Sequence, residues 1–262
     1  MNDNSNIKIL HIIWSGCKGG AEKNVADIVL GLGNMDKFQM EVLFLSNPGY
    51  WGEYLTLHNV KIWSLGAKSS WSPFLLFRLM FFLIFHKYDI YHEHFTSPIV
   101  KVLLKILGKK NVICSVHSAP YLIEKMGWLK KLLMINFASN YISPSNYVRV
   151  YLKERYKKES VLIYHGVGLA KNTAGSGDDK DRKSEIIIGT LTHLEKVKGN
   201  DLLPDIVLKL LQKGYQNLRL IICGGGSEYN AITGMIGKYK IKDYVKIIEG
   251  VKVEEFLKTI DI

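Results

Sequence analysis

Short apolar runs alternate along the chain with longer segments in which apolar residues recur every three or four positions. The short runs are typical of β-strands, and the longer segments are typical of helices. Seven strand-like runs come before residue 170, and they cover residues 8–14, 40–46, 60–65, 88–94, 111–118, 140–145 and 160–167. Because these runs are almost continuously apolar, they indicate a parallel sheet that helices cover on both faces.

The alternation breaks once and then restarts. Residues 170–185, AKNTAGSGDDKDRKSE, are polar and charged, which is typical of a linker or a long exposed loop. A helical segment follows each of three further strand-like runs, which are residues 186–191, 218–223 and 243–250. The sequence therefore predicts an α/β protein with two Rossmann-like, doubly wound domains. They are residues 1–169 and residues 186–262, and the second domain is expected to be incomplete.

One segment raises the question of a membrane. Residues 74–85, FLLFRLMFFLIF, are twelve residues with Arg78 among them, whereas a spanning helix needs about 20 apolar residues. Ser72 and Pro73 predict the N-cap and the first turn of a helix. A helix that is apolar on nearly every side is either deeply buried or lies against a membrane surface. We expect burial, with membrane contact as the alternative.

The net charge changes the range of partners to consider. It is +11 overall, and residues 1–170 contain 20 Lys/Arg and 11 Asp/Glu, a net charge of +9. A basic first half suits an anionic membrane surface, a phosphorylated substrate or nucleic acid, with a basic bias of the whole proteome as the alternative. Nucleic-acid binding is not predicted, because no basic motif with interleaved aromatic residues accompanies the charge.

The cysteines and the N-terminus indicate the cellular compartment. Cys17, Cys114 and Cys223 are far apart and form no metal-like pair, and the last two lie in apolar runs that predict inert core thiols. The first residues, MNDNSNIKIL, lack the layout of a signal peptide. We expect a cytoplasmic protein, with a peripheral position on the inner face of the cytoplasmic membrane as an open possibility.

Glycine-containing turns stand at several strand ends, where open parallel sheets bind their ligands. In WSGCKGGAEKN, Gly16, Gly19 and Gly20 precede a helical segment, so the turn suits an anion at a helix N-terminus. The spacing is not that of dinucleotide-binding proteins, and a tight strand-to-helix turn is the alternative interpretation.

Histidines stand at two other strand ends. His92 and His94 in YHEHF point to the same side of their strand, which would suit a metal, but the sequence shows no third ligand and no metal site is predicted. His117 in SVHSAP ends an apolar strand, where a hydrogen-bonded core residue and a functional residue are both reasonable interpretations. A further histidine, in YHGV at residues 164–167, ends the last strand before the predicted linker.

Two glycine-containing turns belong to the predicted second domain. GTLTHLEKVKG, residues 189–199, places Lys198 and Gly199 at the expected mouth of a helix, and CGGGSE places Gly224 and Gly226 ahead of another helix. Two turns of this kind, one of them with a lysine, suit a diphosphate better than a neutral ligand.

Taken in order, these stretches resemble the retaining glycosyltransferases of family four, which have the GT-B fold of two Rossmann-like domains. The similar stretches are GGAE at 19–22, YDIYHEH at 88–94, SVHS at 115–118, ISPSNYVRVYL at 142–152 and LIYHGV at 162–167. In the last stretch, His165 stands where the family usually has asparagine. The resemblance covers nearly the whole chain, and it implies a nucleotide-sugar donor, UDP- or GDP-linked, and a glycan or lipid-linked acceptor. It implies neither a metal nor a resident cofactor.

The resemblance also implies roles for individual residues. In this family an arginine, and five residues later a lysine followed by glycine, hold the diphosphate of the donor. Lys198 and Gly199 match the lysine and glycine, but His193 stands at the arginine position. This substitution leaves three outcomes open for donor affinity: it is weakened, it becomes pH-dependent, or a neighbour such as Lys196 restores it.

Other implied roles concern the first domain and the donor-side turns. His117 is expected near the donor sugar as the catalytic residue, and Gly19 and Gly20 near the donor phosphates. Gly224 and Gly226 are expected to let the backbone approach the donor. The family continues beyond the equivalent of Asp261 with a glutamate-rich turn and further helices. We therefore expect an unpaired strand edge and an incomplete core in the second domain.

Since the glutamate-rich turn that the resemblance implies is not part of the sequence, two alternatives to an active transferase stay open. The chain is either a non-catalytic, degenerate fragment or one half of a split enzyme that needs a partner chain. A nicotinamide-dependent oxidoreductase is disfavoured, since the glycine fingerprint is missing and the second strand has no acidic residue where a ribose would be held.

Overall fold

The structure is a computed structural model, and it describes residues 6–118, 120–166, 185–251 and 253–262. The chain forms two compact units, Met1–Val167 and Gly168–Ile262. Each contains a parallel sheet with helices, which confirms the predicted α/β class. The predicted limits at residues 169 and 186 stay predictions, because nearly all of the predicted linker lies outside the described residues.

The sheet of the first unit consists of the seven predicted strands, all parallel. They are β1 (Ile7–Ile13), β2 (Phe38–Phe44), β3 (Lys61–Ser64), β4 (Ile90–Glu93), β5 (Val112–Ser115), β6 (Asn140–Ser143) and β7 (Val161–Leu162). Their order is β3-β2-β1-β4-β5-β6-β7. The order reverses between β1 and β4, and such a reversal is where parallel sheets commonly place a ligand site.

Helices connect these strands. They are α1 (Gly20–Gly33), α2 (Gly49–Leu57), α3 (Pro73–Phe85), α4 (Pro98–Ile106), α5 (Pro120–Glu124), α6 (Trp128–Asn136) and α7 (Asn146–Tyr156). Ser145 caps α7, because its hydroxyl oxygen accepts a hydrogen bond from Val148 N at 3.3 Å. Ser72 occupies the predicted N-cap position of α3, with Pro73 in the first turn, but its side chain makes no capping hydrogen bond.

Each face of the sheet has its own core, because side chains alternate along β1. Leu10 and Ile12 pack with residues of α3 and α4. Ile9 and Ile13 pack with residues of α1 on the opposite face. His11 lies between Ile9 and Ile13 in the alternation, so its side chain faces the same side as theirs.

Helix α3 divides its apolar residues between the core and the surface. Its buried residues are Leu75, Leu79, Phe82 and Leu83, and its exposed apolar residues are Phe74, Leu76, Phe77, Phe81, Ile84 and Phe85. The predicted burial is therefore confirmed for one side of the helix and wrong for the other. Among the described residues, no helix is both long enough and apolar enough to cross a membrane.

The second unit is a smaller α/β structure. Its three parallel strands are β8 (Ile186–Leu191), β9 (Leu218–Cys223) and β10 (Val245–Ile248), and their order is β10-β9-β8. Its helices are α8 (Leu203–Gln212), α9 (Tyr229–Lys238) and α10 (Val253–Leu257). Leu220 and Ile222 of β9 pack with Val207 of α8 and Ile232 of α9 to form its core.

The outer edge of β8 has hydrogen-bond partners. Gly189 N donates to Ile262 O at 2.8 Å, and Asp261 N donates to Ile187 O at 2.8 Å. The Asp261 side chain also accepts from Ile187 N at 2.8 Å. The expected unpaired edge is therefore wrong at these positions, because the last residues of the chain turn back onto β8.

Candidate functional site

Five histidines lie on one face of the first unit's sheet, toward the carboxyl ends of its strands. They are His11 in β1, His92 in β4, His94 directly after β4, His117 after β5 and His165 after β7. The register pairs His11 with His92 across neighbouring strands. His94 N continues this pairing by donating to Ile12 O at 3.0 Å. Since β1, β4 and β5 are adjacent, residues from three distant parts of the chain meet here.

The imidazoles contact one another directly. His11 Nδ1 lies 3.1 Å from His94 Nε2, and His94 Nδ1 lies 3.0 Å from His117 Nε2. His92 Nε2 lies 2.8 Å from Ser115 Oγ. The ring of His165 is 5.2 Å from that of His117. Sequence reasoning identified His92, His94 and His117 as candidates, but it missed His11, which is a single histidine inside an apolar strand.

Burial keeps the imidazoles of His11, His92, His94 and His117 uncharged near neutral pH. Loss of solvation lowers the pKa of His92 and of His117 to about 4, and nearby histidines add to this effect. The pKa values of His11 and His94 are lowered well below the usual range for the same reason. The cluster therefore offers neutral donors and acceptors rather than positive charge.

A cavity of about 330 Å³ opens against this cluster. His11, His92, Ser115, His117 and His165 form its polar wall, and isoleucines from several strands form much of its apolar wall. Within the described residues, His11 Nε2 and His117 Nδ1 are buried without a hydrogen-bond partner.

A buried ion pair anchors the end of β4 from the opposite face of the sheet. Lys101 Nζ lies 3.3 Å from Glu93 Oε2 and 3.0 Å from Cys114 Sγ, and it also donates to the backbone oxygen of Met134. The other carboxylate oxygen of Glu93 accepts from the hydroxyl of Thr96 at 2.8 Å. Because Glu93 stands between His92 and His94, the pair holds both histidines at the strand end. Sequence reasoning missed it, since a lysine in a helix is ordinarily exposed.

The cysteine in this arrangement is not a nucleophile. Burial raises the pKa of the Cys114 thiol to about 12, so the thiolate is not formed near neutral pH. The predicted inert core character of Cys114 is confirmed, and Cys223 is buried as well.

The first glycine turn leads into a helix as predicted. Helix α1 begins at Gly20, and Gly19 is its N-cap residue. A Cβ on Gly20 would meet nothing within 4 Å, so the backbone here is open. A Cβ on Gly16 would lie 1.7 Å from Pro48 O, so Gly16 is required by packing against the turn before α2. A phosphate contact at Gly19 and Gly20 stays a prediction.

In the second unit, the loop between β8 and α8, which contains His193, Lys198 and Gly199, is longer than expected. Lys198 ends a 3₁₀ turn, Lys196–Lys198, and its side chain is exposed, as is that of His193. Gly199 has φ +67°, a left-handed conformation that favours glycine. Gly199 is the N-cap residue of a 3₁₀ turn, Asn200–Leu202, that runs directly into α8 at Leu203, so Lys198 and Gly199 precede a helical segment as expected, but its first turn is 3₁₀. Buried Asn200, which sequence reasoning missed, holds the loop by donating from Nδ2 to His193 O at 3.1 Å.

The glycine turn after β9 packs against the loop after β8. Gly224 and Gly226 have φ +147° and +158°, and added Cβ atoms would lie 1.8 Å from Thr192 O and 2.5 Å from Leu194 O. Leu194 N donates to Gly225 O at 3.0 Å. These glycines are therefore required by contact between the two turns, and a role in donor binding stays a prediction. The contact brings both predicted donor-binding turns of this unit together beyond the ends of β8 and β9.

Family models identify the chain. The model described as Glycosyltransferase Family 4 matches residues 18–171, which is more than half of the chain. The chain belongs to this family. A second model, Glycosyl transferases group 1, matches residues 177–262 of this family 4 glycosyltransferase. A comparison with curated protein sequences gave no match.

Solved structures support the fold of this family 4 glycosyltransferase. A glycosyltransferase from Rickettsia africae superposes with a TM-score of 0.68 at 16% identity, covering 98% of this chain and 71% of that one. Staphylococcus aureus TarM, solved as a mutant with fondaparinux, α-GlcNAc-glycerol and UDP, gives 0.70 at 11% identity, covering 94% and 78%. A putative UDP-N-acetylglucosamine 2-epimerase from Listeria monocytogenes gives 0.63 at 14%, covering 96% and 71%. At these identities the likeness concerns the fold, and it confirms the predicted GT-B-like α/β class.

Proposed function

We propose that this family 4 glycosyltransferase moves a sugar from a UDP- or GDP-linked donor to a glycan or lipid-linked acceptor and retains the anomeric configuration. The observation that carries the proposal is the pair of packed turns in the second unit, with exposed Lys198 beside the strand ends. The similarity in fold to TarM, which was solved with UDP, favours a uridine diphosphate donor.

The second unit would act on the leaving group. A nucleoside diphosphate gains negative charge as its bond to the sugar breaks, so cations aimed at it lower the barrier. Lys196 and Lys198 are two exposed ammonium groups on one short turn, and Gly199 gives the backbone the left-handed conformation that places the turn. We assign Lys198 the main contact with the diphosphate and Lys196 a supporting contact, while His193 adds a single hydrogen bond.

The first unit would contribute neutral hydrogen bonds. With its pKa lowered to about 4 by burial and by His165, His117 is uncharged at pH 7, so it does not act as a cation. Its Nδ1 atom has no partner among the described residues, and its Nε2 atom is engaged with His94. His117 Nδ1 is therefore the atom we assign to a hydroxyl of the sugar.

Helix α3 supports an acceptor at a membrane. We name the exposed side of this helix, Phe74, Leu76, Phe77, Phe81, Ile84 and Phe85, the α3 surface. Phe74 is 74% exposed and Phe85 75%, and contiguous apolar side chains of this kind mark interaction sites. Exposed Lys68 and Lys87 flank the helix in sequence. Aromatic side chains with nearby lysines suit an anionic lipid surface, which is where a lipid-linked acceptor would be found.

Nucleotide binding tests the donor side. We expect calorimetry to show binding of UDP or GDP to the purified chain, and about tenfold weaker binding by Lys198→Met, since one charged contact is lost. Lys209→Met removes an exposed lysine from α8 and is the matched control. If Lys198→Met and Lys209→Met bind the nucleotide equally well, or if neither nucleotide binds, the donor assignment is wrong. The anomeric proton of a transferred sugar, observed by NMR, then decides between retention and inversion.

Vesicle sedimentation tests the membrane side. We expect the chain to pellet with phosphatidylcholine vesicles that contain phosphatidylglycerol, and less so without it or in high salt. The double variant Phe77→Ser and Phe81→Ser should lose this binding. Leu57→Ser, which removes an apolar side chain that is 81% exposed at the end of α2, should keep it. Equal binding by both variants would show that the α3 surface is not the contact.

A further inference from the structure

We propose that His11, His92 and His94 form a binding site for a divalent transition-metal ion, Zn²⁺ in the first place. One imidazole nitrogen of each residue lies within 4.8 Å of one nitrogen of each of the other two. The sequence showed only two of these histidines as a pair, and the pairing of β1 with β4 supplies the third.

The distance between two of the nitrogens suits a shared ion. His11 Nδ1 and His94 Nε2 are 3.1 Å apart. Two nitrogens that each lie about 2.0–2.1 Å from a tetrahedral Zn²⁺ are separated by roughly 3.3 Å. The nitrogen of the third imidazole, that of His92, lies within 4.8 Å of both, so its ring has to move closer to complete three ligands.

The remaining nitrogens of two ligands already have the partners that metal-bound histidines need. A ligating imidazole ordinarily donates its second N–H to a neighbouring acceptor, which fixes its tautomer. His94 Nδ1 lies 3.0 Å from His117 Nε2, and His92 Nε2 lies 2.8 Å from Ser115 Oγ. In the tautomers that carry the proton on His94 Nδ1 and His92 Nε2, the other nitrogens, His94 Nε2 and His92 Nδ1, keep their lone pairs for an ion.

The type of ligand atom favours a transition-metal ion, and an adjacent cavity gives access to the site. The proposed ligands are all imidazoles, and the neighbouring carboxylate of Glu93 pairs with Lys101 on the opposite face of the sheet. Imidazole suits Zn²⁺, Cu²⁺ and Ni²⁺, whereas Mg²⁺ and Ca²⁺ prefer oxygen ligands. His11 and His92 both line the 330 Å³ cavity, which leaves a fourth position for a solvent molecule or an anion.

Metal binding by the whole chain tests the site. After treatment with a chelator and its removal, we expect equilibrium dialysis to show one equivalent of bound Zn²⁺ per chain. Co²⁺ should give the intense visible absorption of a tetrahedral complex, and Zn²⁺ but not Mg²⁺ should raise the melting temperature. His11→Gln and His92→Gln should each lose the tight equivalent. His58→Gln changes an exposed histidine at the C-cap of α2, and this variant should bind Zn²⁺ as tightly as the wild type does.

A positioning variant distinguishes a metal site from a plain network of hydrogen bonds. His117→Gln leaves the three ligands in place but changes the acceptor of His94, so we expect about 10- to 100-fold weaker Zn²⁺ binding rather than its abolition. Far-UV circular dichroism without metal checks that each variant is folded. If the folded wild type binds no stoichiometric Zn²⁺, or if His11→Gln binds it unchanged, the site does not exist. Either result leaves the nucleotide-binding tests above untouched, because they have separate readouts.

Discussion

Lys101 Nζ lies 3.3 Å from Glu93 Oε2 inside the first unit, and neither side chain exposes any surface to solvent. The ammonium group joins α4 to the end of β4, and through Met134 O it also reaches α6. An isolated charge in such a place is very costly, so the two groups are stable only together. The pair therefore couples the folding of this region to the position of the histidine-bearing strand.

Removal of the lysine alone should destabilise the first unit strongly. We expect Lys101→Met to lower the free energy of unfolding by about 3–5 kcal/mol, because Glu93 would remain buried without its partner. Lys105→Met, on the exposed side of the same helix, should change it by less than about 0.5 kcal/mol. Urea titration followed by circular dichroism measures both. The double variant Glu93→Gln with Lys101→Met should recover part of the loss, and a further loss instead would contradict the pairing.

Gly224 should not tolerate a side chain. A Cβ there would lie 1.8 Å from Thr192 O, and the residue has φ +147°, so Gly224→Ala should destabilise the second unit by roughly 1–3 kcal/mol. Gly234→Ala, in α9, meets nothing within 4 Å and should stabilise the unit by about 0.5–1 kcal/mol. In thermal unfolding, Gly224→Ala should have a lower melting temperature than the wild type, and Gly234→Ala a higher one. Equal melting temperatures would mean that the two turns are not packed as described.

Glu41 should make stability depend on acid pH. Burial by itself raises its pKa, but hydrogen bonds from Trp63 Nε1 at 2.6 Å and Tyr88 Oη at 2.7 Å, together with Lys61, lower it below the usual value. The unfolded chain, with a glutamate pKa of about 4.3, therefore takes up this proton first as the pH falls. The stabilisation is complete above about pH 5 and is lost as the pH falls through the folded-state pKa.

The variant Glu41→Gln isolates this effect. At pH 7 we expect it to be less stable than the wild type by about 1 kcal/mol, since hydrogen bonds to a carboxylate become bonds to an amide. The difference should shrink as the pH falls below about 4. Glu53→Gln, at an exposed position in α2, is the control and should show no such trend. If the difference in stability between Glu41→Gln and the wild type did not depend on pH, the loss of stability would come from altered side-chain packing and not from the charge of Glu41.

An arginine at position 193 should strengthen nucleotide binding if the proposed donor site is right. Arginine is charged at every pH of interest and can contact two phosphate oxygens at once, which imidazole cannot do. We expect His193→Arg to tighten UDP binding by about three- to tenfold in calorimetry. His58→Arg adds the same charge at an exposed position in the first unit. This variant is the control for non-specific attraction between the anionic nucleotide and an added positive charge. If the two variants bind UDP equally, position 193 does not contact the diphosphate.

The sequence predicted the elements of the fold well. In the part of the chain that the structure describes, all ten strands lie within or close to predicted runs, since an apolar run of strand length between turns depends on local composition alone. Helix limits were less accurate: α8 begins at Leu203, because two 3₁₀ turns precede it. The candidate site was only partly predictable. His92, His94 and His117 stand at strand ends and were identified, whereas His11 stands inside a strand and gave no signal.

By itself, the sequence determined the α/β class, the strand segments, several of the helices and the family resemblance, because these depend on local periodicity and short motifs. Only the tertiary structure decided which strands are neighbours, and thus that His11 pairs with His92 across the sheet. It also decided that Lys101 is buried and that one side of α3 faces solvent. The physical reason is that strand order, register and burial depend on contacts between residues far apart in the chain, and the local pattern of apolar residues does not specify those contacts.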